Sequence, residues 1–190
     1  MKLYHVSKTP NLTVLKPRIS THGKAYVYAT ESLALALLFG SSSSWGDFDG
    51  ICGINQDNKI PHFYEAYEGA FKRAFANQQC YIYEVDPSTF ESGKTSFSGE
   101  VVSSKPVKVL NCTKVNDLYG CLIALGLDSK IDIYEYENTE KYKRMIDKHI
   151  EDRIIRFNVL KNKRGAYYKM CCEKFPHIIE KLENEKSLKR

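Results

Sequence analysis

The chain begins with alternating polar and apolar residues, a pattern that predicts two short β-strands. The first strand is Leu3–Ser7 and the second covers residues 24–29. A turn-rich connection at residues 10–23, with two prolines and a glycine, joins them. Side chains two positions apart share one face of a strand, so the two strands should present an imidazole, a hydroxyl and two phenols. These side chains belong to His5, Ser7, Tyr26 and Tyr28.

Periodicity and turn chemistry predict the elements that follow. The predicted elements are a helix at 31–39 capped by Thr30, a loop-rich stretch at 40–58, a hairpin of 50–54 with 59–64, a helix at 65–76, a strand at 80–85, a strand beginning at or near Glu100, a strand at 107–110, a helix capped by Asn116 or Asp117 and ending at Leu125, and a strand at 131–134. From residue 138 the pattern is helical, Gly165 interrupts it, and Pro176 suits the first turn of a last helix. The helical segment before Gly165 has an apolar stripe formed by Tyr142, Met145, Ile146, Ile150, Ile154 and Ile155.

The pattern therefore predicts an α+β protein with a C-terminal helical extension. We place the domain boundary between residues 135 and 136, with residues 136–190 packed on or near the first domain. A stripe of this kind packs more often on its own domain than on another protein. Contact with a partner protein is the alternative.

The amino-acid composition bears on membrane contact, cellular location and metal binding. The 190 residues are 43% hydrophobic and 27% charged, and no apolar run approaches the ~20 residues that cross a bilayer. We expect no membrane contact. The N-terminus lacks the apolar centre of a signal peptide, so we expect a cytoplasmic protein whose six cysteines are reduced thiols. No CxxC or HxxxH pair occurs, and we expect no metal site.

The net charge of +5 and the pI of about 8.8 are compatible with an acidic or nucleic-acid partner. The positive charges collect near the C-terminus and alternate there with acids. Mixed charges at helical spacing favour a solvated face, and contact with nucleic acid stays open.

The order of the polar residues along the chain is the strongest functional signal. A strand with His5 comes first, a strand with Tyr28 follows and leads straight into an apolar helix, and Glu100 lies at the start of a strand after a polar loop. In this order the chain resembles the ADP-ribosyltransferase-like superfamily. The resemblance is to its His-Tyr-Glu branch, which includes poly-ADP-ribose polymerases, diphtheria-toxin-like enzymes, rifamycin ADP-ribosyltransferases and NAD-dependent RNA 2′-phosphotransferases. The fragments LYHVS, KAYVYAT, CYIYEVDP and GEVVSSKPVKVL carry it, over about residues 1–110.

The resemblance implies a split mixed β-sheet with flanking helices, NAD as co-substrate, and cleavage of the bond between nicotinamide and ribose. His5 would hydrogen-bond the adenosine ribose, and the Val6 backbone with the Ser7 hydroxyl would hold the nicotinamide carboxamide. Tyr28 would pack on the nicotinamide ring. Glu100 would bind a hydroxyl of the nicotinamide ribose and stabilise the positive charge that builds on that ring. The acceptor of ADP-ribose stays unidentified.

The roles of several of these positions have alternatives. Family members usually have glycine where this chain has Val6, and Tyr26 shares a face with Tyr28 and competes for its role. Phe39, 11 residues after Tyr28, matches a second aromatic of the polymerase branch that sandwiches nicotinamide, or it is a core residue. Two other acids, Glu84 and Glu91, compete with Glu100 and fit less well, because Glu84 lies inside an apolar strand and no strand follows Glu91.

Two further functions stay open. One is a catalytically inactive NAD-binding or protein-interaction module of the same fold. The other is an NAD-dependent RNA 2′-phosphotransferase, which would place a cluster of arginines beside the nicotinamide pocket. Near the proposed site the sequence offers only Arg18 and Lys24 in place of such a cluster.

Overall fold

The structure is a computed structural model that describes residues 2–19, 23–42, 46–95 and 97–187. The predicted loops at 10–23 and 40–58 each extend outside this range, at residues 20–22 and 43–45. The described chain mixes helices and strands, so the α+β class is confirmed. Within it, no helix combines the length and the apolar character needed to cross a bilayer.

Eleven strands form among the described residues. They are β1 (Leu3–Ser7), β2 (Val14–Leu15), β3 (Arg18–Ile19), β4 (Ala25–Ala29), β5 (Gly50–Ile54), β6 (Pro61–Glu65), β7 (Cys80–Val85), β8 (Glu91–Ser92), β9 (Val101–Ser103), β10 (Val107–Val115) and β11 (Asp132–Tyr134). They build three sheets, in the orders β1-β7-β10-β2, β3-β4-β9-β8 and β11-β6-β5. The pairings in the first two sheets are antiparallel, where we expected a mixed sheet. Four of these six pairings join strands that are distant in sequence, and alternation alone does not specify their direction.

Seven α-helices accompany the strands in the described part of the chain. They are α1 (Leu33–Leu38), α2 (Gly46–Asp49), α3 (Ala70–Phe75), α4 (Leu118–Leu127), α5 (Lys143–Arg156), α6 (Ala166–Lys174) and α7 (Pro176–Ser187). Asp117 caps α4, accepting a hydrogen bond from the Gly120 amide at 3.0 Å. Pro176 is the first residue of α7, as predicted.

Two predicted helix starts are wrong. Ser32 rather than Thr30 caps α1, because its Oγ accepts from the Leu35 amide at 3.2 Å while Thr30 pairs through its backbone with β1. The helix predicted at 65–76 begins only at Ala70. Glu65 instead ends β6, and its carboxylate accepts the amide hydrogen of Phe71 at 2.7 Å, which caps α3 from outside the helix.

Contacts divide the chain into two compact units. The first comprises Met1–Ser43, Cys52–Phe63 and Ala74–Ile133, and the second comprises Ser44–Ile51, Tyr64–Arg73 and Tyr134–Arg190. The predicted boundary after residue 135 stays a prediction about independent domains. All six cysteines are free thiols.

Each unit has its own apolar core. In the first unit the core gathers residues from β1, β2, β4, β7 and β10. In the second, the predicted stripe supplies Ile146, Ile150 and Ile154, which are buried. Met145 and Ile155 are exposed, so the prediction that they belong to the buried stripe is wrong. The apolar residues of α5 extend over a wider arc of the helix than the face that is buried.

Candidate functional site

The candidate site lies where β1 and β4 separate. Tyr4 and Thr30 form an isolated antiparallel bridge with amide-to-carbonyl distances of 2.8 and 3.0 Å. If the ladder continued, Val6 and Tyr28 would form its next hydrogen-bonded pair. The Tyr28 carbonyl oxygen instead accepts a hydrogen bond from Nδ1 of His5 at 2.8 Å. An imidazole therefore replaces a backbone amide at this point, and the strands diverge.

The separation leaves a backbone edge facing the gap. β1 is the edge strand of its sheet and pairs on its other side with β7. Because Tyr4 directs both backbone groups to Thr30, the alternation of an antiparallel strand directs those of Val6 to the same side. The amide and carbonyl of Val6 thus face the opening between β1 and β4.

The hydrogen bond to Tyr28 also fixes the tautomer of His5. A carbonyl oxygen only accepts, so Nδ1 carries the proton and Nε2 is the acceptor of the neutral ring. Burial lowers the pKa of His5 below its ordinary value; the hydrogen bond to Tyr28 opposes this shift and the charge of Arg18 adds to it. His5 is therefore neutral near pH 7, with Nε2 able to accept a hydrogen bond.

A pocket of about 330 Å³ occupies this opening, at the small end of the range for ligand pockets. Its walls come from β1, from β4 with the following Thr30, from α1, and from the residue that precedes β9. The lining residues are Tyr4, His5, Val6, Tyr28, Ala29, Thr30, Leu35, Ala36, Phe39 and Glu100. Five of the seven residues singled out from the sequence are among them, and all of the lining residues belong to the first unit.

Glu100 reaches the pocket because the chain turns sharply just before it. Gly99 has a φ of +86°, and a Cβ at this position would collide with Cδ1 of Ile54. The strand that follows is anchored on β4, where Val101 pairs with Ala29. One carboxylate oxygen of Glu100 is buried from solvent, and so is the phenol oxygen of Tyr28.

The two competing acids lie elsewhere. Glu84 sits on β7 and forms an ion pair with Lys2 at 3.2 Å. Glu91 is exposed on β8 and pairs with Lys94 at 2.9 Å. Neither residue lines the pocket, so Glu100 is the one of the three acids that faces it.

Aromatic rings surround the pocket. Tyr26 contacts Tyr28 edge-on, with ring centroids 6.0 Å apart, which places both on one face of β4 as the alternation predicts. Only Tyr28 of the two lines the pocket. Phe39 is 52% exposed, so it is a pocket residue rather than a core residue. Its ring meets the edge of Phe97, a residue of the loop before Glu100, with centroids 5.7 Å apart.

The side chain of Val6 fits against Gly40, which follows the C-terminal end of α1. A Cβ added to Gly40 would lie 3.2 Å from Cγ1 of Val6 and 3.2 Å from Sγ of Cys80. The side chain of Val6 thus occupies space that Gly40 leaves open. The backbone of Val6 still faces the pocket while its side chain fills this space.

Ser7 and Tyr26 are the two predicted site residues that do not line the pocket. The Ser7 hydroxyl accepts a hydrogen bond from the Thr9 amide at 3.1 Å and so closes the turn that leaves β1. Conversely, Tyr4 and Thr30 line the pocket and were not singled out from the sequence. Alternation assigns residues to strand faces, whereas this pocket lies along a strand edge.

No family model matches the chain, and no curated protein matches it either. The pocket residues and their order along the chain are therefore the basis for a functional proposal.

Proposed function

We propose that this pocket binds NAD and that the chain is an ADP-ribosyltransferase of the His-Tyr-Glu kind. The observation that carries the proposal is that His5, Tyr28 and Glu100 line one pocket although they are 23 and 72 residues apart in sequence. The two sheets meet at the Tyr4–Thr30 bridge and then separate, and the opening between them holds all three residues. The acceptor would approach from the side of the half-exposed Phe39.

The binding step uses groups that are in place without rearrangement. Nε2 of neutral His5 accepts a hydrogen bond from a ribose hydroxyl. The Val6 amide and carbonyl match the carbonyl and amino groups of a carboxamide, one donor to one acceptor in each direction. Tyr28 supplies an aromatic wall for the nicotinamide ring, and Phe39 supplies a second surface at the pocket rim.

The chemical step uses the charge of Glu100. NAD supplies a nicotinamide leaving group that departs neutral, taking the electron pair of its bond to ribose. The carboxylate of Glu100 binds a hydroxyl of that ribose and stabilises the positive charge that develops as the bond breaks. A nucleophile of the acceptor then forms the new bond to ribose, and its proton passes to Glu100 or to solvent. Because one carboxylate oxygen of Glu100 is buried, this interaction is screened less than one at a free surface.

A second candidate is a catalytically inactive NAD-binding module. The observation in its favour concerns Ser7, whose hydroxyl bonds to the Thr9 amide and does not line the pocket. A carboxamide held by the Val6 backbone alone would be oriented less tightly, and catalysis depends on orientation. This candidate predicts binding of NAD without turnover.

The two candidates are separated by measuring binding and transfer on the same preparations. Isothermal titration calorimetry with NAD tests binding, and incubation of a cell extract with tagged NAD tests transfer to an acceptor. The first candidate predicts labelled products with the wild-type protein and none with Glu100→Gln, while both proteins bind NAD. Binding without labelling, together with no release of nicotinamide, supports the inactive module. If NAD does not bind at all, both candidates fail.

A further inference from the structure

The second unit contains a stretch of twenty residues, 153–172, with six basic residues and no acidic one. We call it the basic segment. It covers the end of α5, the 3₁₀ turn Val159–Lys161 and most of α6. The turn packs against both helices, so the segment forms one continuous surface. The basic residues are Arg153, Arg156, Lys161, Lys163, Arg164 and Lys169.

Two of these six cations are engaged by acids from outside the segment. Arg153 lies 3.7 Å from a carboxylate oxygen of Asp47, and Lys163 pairs with Glu183. The other four are exposed, namely Arg156, Lys161, Arg164 and Lys169. Their charges therefore reach solvent.

Two aromatic rings are exposed within the same segment. Phe157 is 46% exposed and Tyr167 is 43% exposed, and their ring planes are parallel within 11° at a centroid distance of 6.3 Å. Both rings rest on Phe48, which is buried, with centroids 6.0 and 5.7 Å away. Phe48 supports two rings that stack on each other, and each keeps part of its surface open to solvent.

We propose that the basic segment binds single-stranded nucleic acid. Proteins that bind single strands combine cations that follow the phosphates with aromatic rings on which unpaired bases stack. The basic segment supplies both, since each of its four exposed cations lies within four residues in sequence of one of two parallel, half-exposed rings. Base stacking needs the ring faces, and a duplex keeps its bases stacked on one another, so the rings favour a single strand over a double one.

The first half of α5 shows what an ordinary charged surface looks like in this unit. There Lys143 pairs with Glu140 at 3.9 Å, and Lys148 pairs with Asp152 at 3.0 Å. Positive and negative charges alternate, as expected of a solvated helix face. The basic segment lacks these acids and carries exposed rings, which a solvated face does not need. No residue of the basic segment lines the pocket of the first unit, so the inference does not depend on the proposed function.

The test is fluorescence anisotropy with labelled 12-nucleotide single strands, oligo-U and oligo-dT, titrated with the full-length chain at several salt concentrations. The ring variant Phe157→Leu/Tyr167→Leu removes the aromatic faces and keeps apolar packing on Phe48. The charge variant replaces Arg156, Lys161, Arg164 and Lys169 with glutamine. A matched control replaces four cations with glutamine, namely Lys143, Arg144 and Lys148 of the first half of α5 and Lys141 of the turn that precedes it. Circular dichroism and thermal unfolding establish that every variant is folded, and the single change Tyr167→Leu, which still removes one ring, replaces the double variant if that one unfolds.

The ring variant and the charge variant should weaken binding in different ways. Each lost stacking contact weakens binding roughly fivefold or more, so the ring variant loses affinity at every salt concentration without a change in salt dependence. The charge variant should make the negative slope of log K against log salt shallower by about 3, given a slope of about −0.7 per phosphate contact on single strands. At ~0.15 M salt, where charges are screened beyond ~8 Å, the control should match the wild type within about twofold. Glu100→Gln should bind the strand like the wild type, which separates this result from any failure of the proposed function.

Four results would overturn the inference. The wild type could fail to bind single strands at ~0.15 M salt, or the control could lose as much affinity as the charge variant. Equal affinity for a duplex of the same length would remove the role of the rings. Stronger binding of a polyglutamate peptide than of the oligonucleotide would assign the segment to an acidic protein partner.

Discussion

Nδ1 of His5 lies 2.8 Å from the carbonyl oxygen of Tyr28, and this hydrogen bond joins two strands at the point where their backbone ladder ends. The contact closes one end of the pocket and sets the tautomer of the imidazole. It also explains how one residue serves both the fold and the site, because Nδ1 holds β4 while Nε2 is the ring's acceptor.

The stability of the protein should depend on the protonation of His5. Burial lowers the pKa of His5 below 6.5, so between 6.5 and that lower value the unfolded chain binds more protons than the folded one. The contribution of His5 is fully present above pH 6.5 and is lost as the pH falls through the folded pKa. His5→Gln, which can still donate to Tyr28, should reduce the loss of unfolding free energy between pH 7 and pH 5 by up to about 1.4 kcal/mol per pH unit.

Urea unfolding at several pH values measures this effect. Burial also lowers the pKa values of His62 and His149, so the variant should keep part of the wild-type pH dependence. Identical slopes for wild type and His5→Gln would show that His5 is not held neutral by its surroundings.

Gly99 should be essential for the position of Glu100. Gly99→Ala combines a positive φ with a collision against Ile54, and we expect it to lower the unfolding free energy by about 2–4 kcal/mol. Gly93→Ala is the matched control, because Gly93 has a φ of +69° and nothing within 4 Å of the added Cβ. It should cost only about 1 kcal/mol.

The double variant Gly99→Ala/Ile54→Ala isolates the collision. It should be more stable than the sum of the two single changes predicts, because Ile54→Ala removes the atom that the new Cβ meets. Strict additivity would place Ile54 elsewhere.

Val6 and Gly40 should behave as a coupled pair. Val6→Gly removes a side chain from β1 and should lower the unfolding free energy by about 1–3 kcal/mol. Gly40→Ala introduces a Cβ 3.2 Å from Val6, and it should be tolerated better when Val6 is already glycine. Chemical denaturation of the two single variants and the double variant measures the coupling. A coupling energy near zero would contradict the packing described for this pair.

The stability of the protein should depend on the ion pair between the buried Asp49 and Arg73. Asp49 is fully buried, accepts a hydrogen bond from the Tyr67 hydroxyl at 2.6 Å, and forms an ion pair with Arg73. Arg73→Met leaves this charge buried without its cation and should cost about 2–4 kcal/mol, because Arg73 is itself partly exposed. Tyr67→Phe removes one hydrogen bond and should cost about 1 kcal/mol.

Neutralising the acid provides the control for that experiment. Asp49→Asn/Arg73→Met should be more stable than Arg73→Met alone, since no uncompensated charge remains. If the double variant is the less stable of the two, the ion pair is not what determines the cost.

Elements with strong local signals were predictable from the sequence. β1 and β7 have the predicted bounds, and Pro176 begins α7 as expected. The start of α3 was not predictable in this way, because Glu65 belongs to the strand β6 and caps the helix through its side chain. That role depends on tertiary structure, whereas the periodic pattern of residues 65–76 fits a helix throughout.

The site was predictable in its residue types and less so in its geometry. The order of His5, Tyr28 and Glu100 along the chain pointed to three residues that line one pocket. The contribution of Tyr4 was missed, because it follows from the isolated bridge to Thr30 rather than from alternation. The position of Ser7 was missed as well, since its short side chain closes a local turn with Thr9.

The most direct test of the central claim is the release of nicotinamide from NAD, followed by chromatography with wild type, Glu100→Gln and the matched control Glu91→Gln. Because extract components can supply a required acceptor, the reaction is run with and without a cell extract treated to remove its own NAD-consuming activity. We predict release by the wild type and by Glu91→Gln, and a rate at least ~100-fold lower for Glu100→Gln, as expected when one electrostatic contact to the transition state is removed. Equal rates for wild type and Glu100→Gln, or no release by the wild type in either reaction, would contradict the assignment of Glu100 as a catalytic residue.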